Sequence, residues 1–76
     1  MNNARRKTIA KLVGEFEDYQ EAVQSVLDEE EEYLEAMPEG LRGSERGEIS
    51  ETAVSSLQEA VGSLEELITA LQDAIA

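Results

Sequence analysis

Between residues 9 and 37 the apolar side chains Ile9, Leu12, Val13, Phe16, Tyr19, Val23, Val26, Leu27, Tyr33, Leu34 and Met37 recur largely at intervals of three and four. That spacing is one face of a 3.6-residue period and predicts an amphipathic helix. Asn2 or Asn3 is placed to cap its start. Pro38 ends it, because the residue before a proline is pushed out of the α region. The expected helix runs over about residues 3–37 and, at 1.5 Å per residue, is roughly 50 Å long.

The second arm is more regular. Val54, Val61, Ile68 and Ile75 occupy heptad position a, Leu57, Leu64 and Leu71 position d, and Ala53, Ala60, Leu67 and Ala74 position g. β-branched residues at a with Leu at d suit paired helices, and small g residues allow a further helix to come close. The apolar stripe covers roughly 160° of the helix surface, more than one neighbour can bury. A second helix over about 45–75 follows.

The stretch "MPEGLRGSERGE", Met37–Glu48, separates the arms and contains the only proline and three of the five glycines. Pro38 to Leu41 can form a single turn, with Leu41 tucked against the helix ends. Gly40 and Gly43 are expected to take positive φ, which glycine tolerates without a steric penalty. Ser44 is a good N-cap, and Glu45 then sits where the helix dipole favours an acid. Ser50 is a rival start if Gly47 is too weak a helix former. So short a connection makes the helices antiparallel neighbours. The expected fold class is all-α: an antiparallel two-helix hairpin, one domain over residues 1–76, with a turn at 38–44. Two helices bury little, so self-association into a dimeric four-helix bundle is expected, burying Val61, Leu64, Leu67, Ile68 and Leu71.

Charge changes the picture by its distribution. The net charge is −12, from 18 acids and 6 bases. Residues 1–14 hold Arg5, Arg6, Lys7 and Lys11 and no acid, whereas residues 15–40 hold eleven acids and no base. An acidic surface disfavours nucleic acid and anionic membrane and favours basic partners. No apolar run is long enough to span a membrane, and the N-terminus lacks the apolar core of a secretory signal, so an intracellular, cytoplasmic location is expected.

Candidate chemistry is sparse. With neither His nor Cys, serine has no partner for nucleophilic catalysis and the usual metal ligands are missing. "GLRGSERG" has neither the strand before it nor the Lys after it that a phosphate loop needs. No enzyme activity, cofactor or metal is expected. The acid run Asp28, Glu29, Glu30, Glu31 and Glu32, continued by Glu35, winds around the helix. It reads either as a solvated exterior or as a face for a basic partner; EF-hand spacing is absent. Glu30 falls inside the apolar stripe, as a polar group fixing register or as a residue snorkelling at its edge. In a hairpin, position i faces roughly 82 − i. Lys7 and Lys11 then lie near Asp73 and the last carbonyls of the second helix, complementing its dipole. Arg42 and Arg46 are expected to pair with Glu35, Glu39 or Glu45. Gly14 and Gly62 lie within helices and are candidates for close helix approach.

The residues Pro38, Glu39, Leu41, Ser44, Glu45 and Arg46, followed by "LQEAVGSLEELITALQDAIA" from Leu57, carry a resemblance. They resemble the PExLxxSER turn and Leu-Glu-rich second helix of a family of small uncharacterised tailed-bacteriophage proteins, whose first helix is also acidic. Such proteins often carry a bulky residue where this chain has Gly47. The resemblance covers roughly residues 28–76 and implies a phage origin, an infected bacterial host and a helical hairpin; it implies no activity. Two functions are compatible with these readings. One is an accessory protein whose acidic face occupies a basic, nucleic-acid-binding surface of a host protein, one of defence included. The other is an adaptor or scaffold in virion assembly, with the acid serving solubility.

Overall fold

The computed structural model describes residues 1–76, all helical apart from the joint and the terminal residues. Helix α1 spans Asn3–Ala36, a single turn α2 spans Glu39–Arg42, and α3 spans Glu45–Ile75. Asn2 caps α1, its Oδ1 accepting from the Arg5 N–H at 2.8 Å. Met37 leaves the helix with φ −70° and ψ 130°, the extended geometry that Pro38 demands.

The long helices run antiparallel. Ser50 Oγ donates to Glu30 Oε1 at 3.2 Å, and Arg6 donates to the Ile75 carbonyl at 3.1 Å. These pairs fall within two residues of the expected facing relation. The seam from α1 holds Val13, Leu27 and Met37 with half-buried Phe16, Val23 and Leu34. From α3 it holds Ile68 with half-buried Val54, Leu57, Val61, Leu64, Leu71 and Ile75. Only four apolar side chains are truly buried: Val13, Leu27, Met37 and Ile68. The result is a rod measuring 58 × 14 × 14 Å.

The joint differs from expectation. No residue has positive φ; Gly43 lies at φ −81°, ψ −2°. Because α2 is itself a right-handed turn, the chain reverses direction without a left-handed residue, and Gly40 and Gly43 have open space where a Cβ would stand. The demanding glycine is Gly47, which is buried. A Cβ there would collide with the Arg42 backbone, reaching within 2.7 Å of its Cα as well as striking its carbonyl oxygen. A bulky side chain at position 47 is therefore incompatible with this joint.

Helix α3 starts at Glu45, which settles the choice between Ser44 and Ser50. Ser44 occupies the N-cap, but its hydroxyl donates back to the Leu41 carbonyl rather than capping α3. Ser50 is mid-helix and, at 2 % exposure, among the most enclosed side chains. Leu41 remains 45 % exposed instead of tucking under the helix ends; Met37 fills that role. Gly14 and Gly62 meet nothing within 4 Å, so neither marks a close approach.

Candidate interaction surface

Position around the seam divides the surface into two flanks. In α1, the residue preceding a seam position is Leu12, Tyr19, Val26 or Tyr33; in α3 it is Ala53, Ala60, Leu67 or Ala74. Reversing one helix turns its wheel over, and crossing the seam turns it again. Preceding positions of two antiparallel helices therefore share a flank. Tyr33, Arg46 and Ile49 line one open groove with Glu30, Glu45 and Ser50, which places both helices' rows on the same side. Tyr19 is 60 % exposed, Val26 52 %, Tyr33 47 % and Ile49 63 %, while Leu67 is exposed too.

Residues following the seam positions form the other flank. They are Ala10, Glu17, Gln24 and Glu31 in α1, with Glu51, Gln58, Glu65 and Gln72 in α3, and none but the small Ala10 is apolar. One seam thus separates an apolar flank from an acidic one.

The acid run straddles this division. Glu30 points toward the seam, half-buried, where Ser50 holds it. This is the register-fixing role among the two expected for it, because a buried hydroxyl and a carboxylate are satisfied only when residues 30 and 50 stand opposite. Glu29 turns toward the apolar flank. Asp28, Glu32 and Glu35 are exposed on the outer surface, and half-buried Glu31 joins the acidic flank. Asp28 accepts from Gln24 Nε2 at 2.9 Å, a contact within α1 that brings no positive charge.

The nearby bases are engaged elsewhere. Arg42 donates through Nε and Nη2 to the Leu34 carbonyl, each at 3.2 Å, rather than to Glu35, Glu39 or Glu45. The last turn of α1 has no basic residue of its own, so Arg42 supplies the positive charge that open helix carbonyls and the dipole favour. Arg46 lines the groove beside Tyr33, on the apolar side. At the opposite end it is Arg6, not Lys7 or Lys11, that reaches the last turn of α3. The outer acids therefore face solvent without a hydrogen-bonded cation.

Comparison with family models, with curated protein sequences and with solved structures returns no match. No group of three or more acidic side chains is gathered in a way that could hold a metal ion. No helix is long and apolar enough to cross a membrane.

Of the five residues expected in a dimer contact, Ile68 is buried within the single chain, and Val61, Leu64 and Leu71 stand half-buried along the seam. Leu67 alone opens outward. The α1 row of Tyr19, Val26 and Tyr33 carries most of the exposed apolar surface on that side. Two signals for the joint and seam were present in the sequence. Gly47 extends the a series of α3 one heptad back, and Ser50 extends its d series. A glycine and a serine at the first two seam positions announce that the helices and the joint close up there.

Proposed function

We propose that this chain is a non-enzymatic interaction module that pairs with itself through its apolar flank and offers its acidic surface to a basic groove on another protein. The observation that carries this reading is the segregation of the flanks. A hairpin meant to stand alone would have no use for exposed Tyr19, Val26, Tyr33 and Ile49 on one side only. Surface area supports pairing. A folded monomer of 8.4 kDa exposes roughly 4,600 Å², and this chain exposes 5492 Å². The excess, about 900 Å², follows from the 58 × 14 × 14 Å rod shape, which leaves a face long enough to hold a standard interface of roughly 800 Å² per partner.

The acidic surface supports the second contact. Ten acids lie in the twenty-one residues from Glu15 to Glu35. That is about one charge per 3 Å of helix, close to the roughly 3.4 Å spacing along one strand of duplex DNA. That density is summed around the whole helix; the part that a groove built for phosphates would meet is the outward set Asp28, Glu31, Glu32 and Glu35. The resemblance of the joint to tailed-phage proteins supports a protein of the bacterial host, one of defence included, as the bearer of that groove.

The test is capture of partners from infected host lysate with the wild-type chain and with Glu31→Gln/Glu32→Gln/Glu35→Gln. The expected result is a partner that the variant retains poorly, that salt releases, and that nucleic acid displaces. A partner held equally by both chains in high salt would leave the acid run as a solvated exterior and return the protein to an assembly adaptor.

A further inference from the structure

We propose that the joint end of the apolar flank docks an amphipathic helix of another protein, with apolar side chains turned into the groove and lysine or arginine along its edges. The proposal goes beyond the two contacts above. It gives this end of the flank an occupant of its own and leaves Tyr19, Val26 and Leu67 to a second copy.

Each of the three helical elements leaves a large apolar side chain open near the joint: Tyr33 on α1, Leu41 on α2 and Ile49 on α3. The hairpin closes without them, because buried Met37 already fills the space under the helix ends. Two clefts meet here and share Tyr33 and Arg46 as walls, with Ile49 in one and Leu41 in the other. The three side chains therefore border one continuous groove. Apolar residues scattered singly over a surface need no explanation, whereas a contiguous set drawn from separate elements marks a contact site.

The walls of the groove select the charge of its occupant. Glu30 and Glu45 line it against a single base, Arg46. Glu30 is held in place by the hydrogen bond from Ser50, which leaves its negative charge intact. Glu29 stands exposed on the same side, so carboxylates outnumber the guanidinium three to one. An acidic segment would bring like charges together where docking removes water, and a basic one is attracted. These groups belong to the groove itself, not to the outer face of the rod. The walls also select a backbone. The groove is bordered by helices and offers no strand edge. An extended peptide docked there would lose hydrogen bonds to water without replacement, whereas a helix satisfies its own N–H and C=O groups. Its apolar side chains, spaced by three and four residues, then enter the groove between Tyr33, Leu41 and Ile49.

Synthetic peptides serve as probes: an amphipathic Leu/Lys helix, a Leu/Glu helix of the same pattern, and a Ser/Lys peptide of the same charge as the first. Fluorescence anisotropy compares their affinities for the wild-type chain and for Leu41→Ser/Ile49→Ser, both exposed positions, with circular dichroism reading helix content. Should the double variant lose helix, Leu41→Ser alone, on the single turn α2, gives the same comparison. The Leu/Lys helix is expected to bind, to shift the amide resonances of Tyr33, Leu41 and Ile49, and to bind the variant at least about tenfold more weakly. Equal binding of the Leu/Glu helix overturns the proposal, because charge then selects nothing. Equal binding of the Ser/Lys peptide, unchanged in the variant, also overturns it and leaves the acidic surface as the contact for basic partners. Failure of the Leu/Lys helix to bind overturns it as well. A dimer that the variant dissociates would then make the second copy the occupant, and a monomer by light scattering would remove self-association too.

Discussion

The two flanks of this hairpin are built on the same pair of helices, a few ångströms apart around one seam, and they have opposite chemistry. One presents Tyr19, Val26, Tyr33, Ile49 and Leu67; the other presents glutamates and glutamines with no apolar side chain larger than Ala10. The seam between them is thin, with four buried apolar residues. The contrast teaches that the second arm's wide apolar arc is not surplus core. One part of it closes the hairpin, and the rest belongs to a surface shared with α1. A chain of this size gains stability by covering that surface.

The largest effect should come from placing the same charge on each flank. Val26→Asp/Tyr33→Asp is expected to abolish self-association, since pairing would bury unpaired charge at a cost of at least about 3 kcal/mol, and to remove the stability that pairing adds. Gln24→Asp/Gln58→Asp adds the same charge on the acidic flank and should leave the mass unchanged, with melting lowered only slightly by the lost Gln24–Asp28 hydrogen bond and the like-charge pair that replaces it, about a few tenths of a kcal/mol. Analytical ultracentrifugation with thermal unfolding reads both pairs, and equal losses in the two would erase the distinction between the flanks.

Adjacent residues sharpen the contrast. Ile68 is in the seam and Leu67 is outside it. Ile68→Ala should cost about 2–4 kcal/mol at any protein concentration, through lost contacts and the cavity left behind. Leu67→Ala should cost little in dilute solution, with a loss that grows as concentration rises and the wild-type chain gains from pairing. Urea unfolding over a concentration series separates these outcomes; a concentration-independent loss at Leu67 would put that residue in the hairpin's own core.

A further contrast lies at the joint, where Gly47 is pressed against the Arg42 backbone and Gly43 has open space. Gly47→Ala should cost about 1–3 kcal/mol, because the added methyl meets backbone rather than a flexible side chain. Gly43→Ala should instead stabilise by about 0.4–1 kcal/mol, since its right-handed geometry suits alanine and the unfolded chain loses freedom. Circular dichroism melts decide this, and an undisturbed Gly47→Ala would mean that the joint opens without cost.

The helices, their direction and their register were legible in the sequence because each follows from a repeating pattern. Apolar spacing marks the helices, Pro38 sets where α1 stops, and the shortness of the joint sets their antiparallel packing. The joint's internal geometry was not legible. Glycines at 40, 43 and 47 look alike in a sequence, and only the backbone path distinguishes two with open space from one pressed against Arg42. Arginine partners were equally hidden. Arg42 has several carboxylates near it in sequence, yet the Leu34 carbonyl lies within its reach once α2 has formed. The acid run was legible as charge, but its division between seam, flank and outer surface depends on where Glu30 meets Ser50.

The Glu30–Ser50 contact also bears on the order in which the chain closes. It spans 20 residues, whereas the Arg6–Ile75 contact at the far end spans 69. Loop-closure entropy rises with the logarithm of that separation, so making the far contact first costs roughly 1 kcal/mol more than making the near one. The hairpin is therefore expected to zip from its joint, with Glu30 and Ser50 meeting early and setting the register that later pairs inherit, and amide exchange should be fastest at the basic end.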